Sequence, residues 1–270
     1  MSANAPGSVD GDNALDPVIL SRPEPGIGVI CLDRPARRNA LNLDVKHRVT
    51  AALNELELDA AIAVIIVTGA NGVFVAGTDT AEMADMMPSN HANGETNAMF
   101  VALRRCPKPL IAAVEGYALG GGCELALACD MIVAGSGALF GQPEIRVGIM
   151  PGAGGTQILV RSLGKHRAMK LLLTGDPLPA ADADALGLIS QLVEEGRALD
   201  TAMALAQRIA AMPPLAVRAI KRAVQAGLDA PLSVGLALER REFEALFATE
   251  DQKEGMAAFL AKRRPVFKGR

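Results

Sequence analysis

Tryptophan is absent from this chain of 270 residues, which carries one tyrosine and seven phenylalanines. So few rings leave little for stacking bases or sugars. Histidine is nearly as scarce: His47, His91 and His166 stand at no metal-ligand spacing to Cys, Asp or Glu, and neither HExxH nor CxxC occurs. A zinc site therefore has no support, and no metal is expected. The four cysteines (Cys31, Cys106, Cys123, Cys129) form no disulfide-dense pattern, which points to a reducing, cytoplasmic setting. Basic excess is missing too: 27 Lys and Arg stand against 30 Asp and Glu, a net charge of −3. That balance argues against nucleic acid or a membrane surface as a partner. The longest unbroken apolar run, Ala60–Val67, is far short of the roughly 20 residues of a membrane helix. What the chain does have is a hydrophobic half, 50% of its residues, enough for a sizeable core in one large domain or two small ones.

Residues 1–16 mix Gly, Pro, Asn, Asp and Ser with little apolar content and read as a flexible tail, the opposite of a signal or transit peptide. Val18–Leu20 and Gly28–Leu32 read as strands around a turn. A helix is expected over Leu43–Leu58, with Asn42 as its N-cap. Val64–Val67 and Leu110–Val114 are β-branched or aliphatic runs of the kind found in strands covered on both faces. Met131–Val133 and Ala138–Phe140 are further short strand candidates, and Val73–Phe100 reads as a loop with a helix at one or both ends. From Gly155 onward the pattern is helical, through Leu232–Leu246 to an amphipathic stretch at Asp251–Arg264. Alternating strands and helices followed by a helical last third imply an α/β core with an appended helical region.

Several familiar motifs fail. Ser136 lacks the outer glycines of a nucleophile elbow. Gly120-Gly121-Gly122 and Gly152-Ala153-Gly154-Gly155 lack the third glycine of GxGxxG, and neither continues to GK[ST].

Three other segments converge on one chemistry. In Gly116–Ala128 a buried strand runs through three glycines into an apolar helix, with Glu124 in its first turn. Such a turn exposes backbone N–H groups at the positive end of a helix. In Phe140–Gln157, Glu144 sits among Pro143, Ile145, Val147 and Ile149, surroundings that disfavour a charged carboxylate and suit a general acid or base. In Val73–Met83, Gly77 and Thr78 follow a buried strand and could present a second N–H. Two such donors aimed at one point make an oxyanion hole. Taken singly, each segment also fits an ordinary turn, a surface Glu or a helix cap.

Together these segments resemble the enoyl-CoA hydratase (crotonase) family, from about Val18 to the ending Glu254–Pro265. Gly-Gly-Gly-Cys-Glu-Leu-Ala, Gly-Gln-Pro-Glu-Ile and Pro-Gly-Ala-Gly-Gly-Thr-Gln carry the likeness. The resemblance implies an α/β spiral of ββα units over 17–200 and a C-terminal α-helical trimerisation region over 201–270, with trimers pairing into hexamers. It implies an acyl-CoA thioester substrate and no separate cofactor, coenzyme A being part of the substrate. The thioester oxygen would lie between the N–H groups of Thr78 and Gly121, with Glu124 and Glu144 handling water and the α-proton. Asn39, Ala40 and Leu41 match the CoA path, and Ala76, Gly77, Asp79 and Gly120, beside the oxyanion donors, are expected to bind substrate or CoA as well. Phe243 and Lys262 match C-terminal positions that reach CoA, in some members from a neighbouring subunit. The chain departs from the family at Thr78, where many members have Ala, and at Thr80-Ala81, which replaces Ile-Lys. A 3,2-enoyl-CoA isomerase or another crotonase-fold lyase is the nearest alternative, and an RNA-binding or scaffold member the non-enzymatic one. Retention of both glutamates favours hydration.

Overall fold

Every second residue of a strand faces the same way, so a run that is apolar throughout demands cover on both sides. The computed structural model, which describes residues 16–270, meets that demand with a sheet between two helical layers. Its strands are β1 (Val18–Glu24), β2 (Ile27–Leu32), β3 (Val64–Gly69), β4 (Leu110–Val114), β5 (Tyr117–Leu119), β6 (Met131–Gly135), β7 (Leu139–Gly141), β8 (Leu178–Pro179) and β9 (Gln191–Val193). The larger sheet runs β1-β2-β3-β4-β6-β9. β1 and β2 form an antiparallel hairpin, and every later pairing in that sheet is parallel. A second sheet, β5-β7-β8, stands beside it.

The helices are α1 (Leu43–Leu58), α2 (Thr80–Ala84), α3 (Pro88–Ala92), α4 (Ala98–Arg105), α5 (Gly121–Ala128), α6 (Gly155–Leu163), α7 (Lys165–Thr174), α8 (Ala180–Ala185), α9 (Ala198–Ala210), α10 (Pro214–Leu228), α11 (Leu232–Leu246) and α12 (Glu250–Leu260). Ile65 and Val67 of β3 join Val45, Val49 and Leu53 of α1 in the larger core cluster. Val64 and Ile66 join Ala198, Ala202 and Ala206 of α9 in the smaller one. Alanine at every fourth position gives α9 a smooth stripe that can lie close to the sheet.

Asn42 caps α1 as expected, its Oδ1 accepting from Val45 N at 2.9 Å. The expected loop over Val73–Phe100 contains two short helices, α2 and α3, then a 3-10 turn at Glu95–Asn97 leading into α4. The last helix ends at Leu260 rather than near Arg264, and Lys262 just beyond it has φ 52°. The expected tail over 1–16 lies outside the described residues except for Asp16, which accepts from Val18 N and pairs with Arg48. Among the described residues, no helix is long and apolar enough to cross a membrane.

Two isolated parallel bridges prepare the site. Leu41 pairs with Thr78, and Val75 with Ala118 of β5. They draw the chain after β3 between the start of α1 and the strand that feeds α5.

Candidate active site

The three consecutive glycines have separate jobs. Gly120 has φ 51°, a left-handed conformation that favours glycine, and a Cβ there would stand 2.9 Å from Glu144 Oε1. A Cβ on Gly122 would overlap the carbonyl oxygen of Val75, so Gly122 lets α5 pack against the neighbouring segment. Gly121 is the first residue of α5, and an N–H at that position has no acceptor within the helix.

Thr78 supplies the matching donor. Leu41 N donates to Gly77 O at 2.8 Å and Asp79 N to Leu41 O at 2.9 Å. In a parallel pairing the intervening N–H points the other way. Thr78 and Gly121 are neighbours: a Cβ on Gly121 would lie 3.7 Å from Thr78 N and 2.6 Å from Thr78 Oγ1.

Both carboxyls face the same space. Glu124, in the first turn of α5 and only 4% exposed, accepts at Oε1 from Ala153 N at 2.7 Å and Gly155 N at 2.9 Å. Burial pushes its pKa above the ordinary value, opposed by those two N–H groups and by the positive charges of Lys46 and Arg104. Glu144 lies on the 3-10 turn Pro143–Val147 after β7. Burial, helped by the negative charge of Glu124, raises its pKa to about 7 against a pull from its own N–H. One carboxyl is thus held by donors that suit an anion, while the other keeps its proton near neutral pH. Fully buried Gln142 sets its side-chain amide beside Glu144, and with the amide assigned so that its nitrogen faces the carboxyl it donates to the two oxygens at 3.1 and 3.2 Å. Those N–H groups can stabilise the charge left when Glu144 gives up its proton.

The two glutamates, Thr78, Gly121, Ala76, Gly77 and Gly120 all line one cavity of about 640 Å³. Asn39, Ala40, Leu41, Asp79, Phe243 and Lys262 do not line it. Asn39 is buried in a turn, where its amide holds Arg34 N, Ala70 O and Val73 O. Asp79 caps α2 and pairs with Arg34 at 2.9 Å. Phe243 is half exposed on α11 and packs on Phe247, with ring centroids 5.0 Å apart.

Sequence reasoning passed over Gln142, Arg104 and Lys46. Arg104 Nη1 donates to Ala153 O at 2.8 Å and so steadies the turn that holds Glu124. At the end of a helix it looks like a charge placed for the dipole. Among the described residues no group of three His, Cys, Asp or Glu gathers to hold a metal ion.

This architecture is the crotonase fold, an α/β core with a helical C-terminal region. The crystal structure of an enoyl-CoA hydratase subunit from Geobacillus kaustophilus matches it with a TM-score of 0.91 and 45% identity, covering 94% of this chain and 98% of that one. The enoyl-CoA hydratase/isomerase family model matches residues 22–270, and the chain belongs to that family. The Mycobacterium bovis protein named "Probable enoyl-CoA hydratase echA8" is 47% identical over 92% of this chain and 97% of its own length. The 2,3-dehydroadipyl-CoA hydratase of Escherichia coli is 45% identical over 95% of this chain and all of its own.

Proposed function

We propose that the chain is an enoyl-CoA hydratase, a hydro-lyase that adds water reversibly to a trans-2-enoyl-CoA thioester to give the 3-hydroxyacyl-CoA. The observation that carries this reading is the differently prepared pair of carboxyls facing one cavity with two backbone donors. The thioester oxygen sits between Thr78 N–H and Gly121 N–H, which stabilise the enolate character that develops as the double bond is attacked. Glu124, its Oε1 fixed by the N–H groups of Ala153 and Gly155, orients water and takes a proton as the oxygen bonds to C3. Glu144, protonated near neutrality, delivers a proton to C2. The electron pair of the double bond moves toward C2 and the carbonyl, so the reaction needs no oxidant and no cofactor beyond the coenzyme A of the substrate.

Asn39, Ala40, Leu41 and Asp79 frame the CoA approach, and Phe243 and Lys262 complete it across subunits. Residues 201–270 serve assembly into a trimer or hexamer. Support comes from apolar side chains left open on the last three helices: Leu228, Leu232, Phe259 and Leu260 are each at least 66% exposed, more than an isolated surface needs. Free cysteines fit a cytoplasmic location. Incubation with crotonyl-CoA in heavy-oxygen water tests the chemistry: labelled 3-hydroxybutyryl-CoA is expected, and a shifted double bond without label would point to isomerisation instead.

A further inference from the structure

One charge on the cavity wall, that of Lys46, makes no direct ion pair among the described residues. Lys46, in the first turns of α1, lines the same cavity as the two glutamates and is only 6% exposed. A buried ammonium is costly unless paired and hydrogen-bonded. Its Nζ has a single hydrogen-bond acceptor among the described residues, the carbonyl of Thr96 at 3.1 Å. The head also lies 5.9 Å from the centre of the Phe100 ring.

The carboxylates that attract it are committed elsewhere. Both oxygens of Glu82 take the Leu43 N–H, at 3.0 and 3.3 Å. Glu124 holds Ala153 and Gly155. Neither forms an ion pair with Lys46. Asn97, on the same wall, has a buried side-chain oxygen without a partner. Turning that amide to present its nitrogen breaks no bond to the oxygen. Met83 and Met86 line the cavity as well, adaptable apolar side chains that suit a carbon chain.

Resting on the hydratase reading, we propose that Lys46, with Asn97 beside it, binds a carboxylate at the far end of the acyl chain, and that the preferred substrates are 2-enoyl-CoA thioesters of dicarboxylic acids. The carboxylate supplies the direct ion pair that Glu82 and Glu124, which attract Lys46 without touching it, do not make, in a site where that pairing is poorly screened by water. A neutral chain of the same length fills the same space and leaves the ammonium unpaired.

The test compares trans-2-hexenoyl-CoA with the mono-CoA thioester of trans-2-hexenedioic acid, which differ only at the chain end. kcat/KM is measured for both in the wild type and in Lys46→Met, a variant of similar length without the charge. The wild type is expected to favour the dicarboxylic substrate by about tenfold or more, and Lys46→Met to lower that ratio by about tenfold or more. Because both rates come from one preparation, loss of folded variant cancels from the ratio. A wild type with no such preference, or an unchanged ratio in Lys46→Met, overturns the proposal while hydration of the neutral substrate still stands. Hydration of neither substrate overturns the hydratase reading and this inference with it.

Discussion

Arg104 donates through Nη1 to the carbonyl oxygen of Ala153 at 2.8 Å, and the N–H of the same Ala153 donates to Glu124 Oε1 at 2.7 Å. A side chain at the end of α4 thus fixes the peptide that fixes a candidate acid–base group. Without it the turn at Ala153–Gly155 is free to drift, and small errors of placement are expensive in catalysis. Arg104→Met is expected to lower kcat by about tenfold or more with little change in KM, and Arg104→Lys to recover part of it. Steady-state kinetics on the three proteins checks this; an unchanged kcat in Arg104→Met would remove Arg104 from the positioning network.

The pKa of Glu144 sets both an activity profile and a stability profile. In the proposed mechanism hydration needs Glu144 protonated and Glu124 ionised, so the rate should rise through the Glu124 pKa and fall as pH passes about 7. For stability the sign follows from where the proton sits. Below the ordinary value of 4.5 the carboxyl is protonated in both folded and unfolded chains. Between 4.5 and about 7 the folded state keeps a proton that the unfolded state releases, so stability declines as pH rises and levels off above about 7. Glu144→Gln lacks that loss. Its Tm should gain on the wild type by a few degrees between pH 4.5 and pH 8, measured by thermal melts; parallel Tm curves would place Glu144 in water.

Crowding at the oxyanion site is a test of its geometry. The Cβ of Gly121→Ala would stand 2.6 Å from Thr78 Oγ1, and threonine is stiff about χ1. The two N–H groups should be forced apart. Loss of one such donor typically costs about 2.7–4 kcal/mol of barrier, so kcat should fall on the order of a hundredfold. Thr78→Ala in the same chain removes the opposing oxygen and should restore much of the loss. Equal activity in the single and double variants would locate the oxyanion elsewhere.

The open apolar residues of α10–α12 predict assembly. Light scattering should give three or six times 28.1 kDa, and Phe259→Asp, at a position 81% exposed in the single chain, should shift the mass downward. A monomer in the wild type would contradict the assignment of residues 201–270 to assembly.

Legibility in the sequence followed from how local the governing physics is. Val64–Val67 and Leu110–Val114 stand out because strands buried on both faces must be apolar throughout, and they are β3 and β4. Asn42 and the limits of α1 come from capping chemistry within a few residues. β8 and β9 interrupt the stretch expected to be helical from Gly155 onward and were not anticipated, because strands of two and three residues carry too little periodicity to register. Glu124 and Glu144 were visible as glutamates beside glycine-rich turns. Arg104 and Lys46 were not, since their hydrogen-bond partners lie 49 and 50 positions away, and nor was Gln142. The nearest of these links, Gln142 to Glu144, is short in sequence, yet its sense depends on the burial of both groups.

The central claim is that Glu124 and Glu144 act as a pair on one water and one conjugated thioester. The most direct measurement follows the absorbance of the conjugated thioester band of crotonyl-CoA after mixing with wild type, Glu124→Gln and Glu144→Gln. Rapid loss of the band with the wild type, and a rate lower by orders of magnitude in both variants, is the expected result. Wild-type rates in either variant would contradict the paired mechanism.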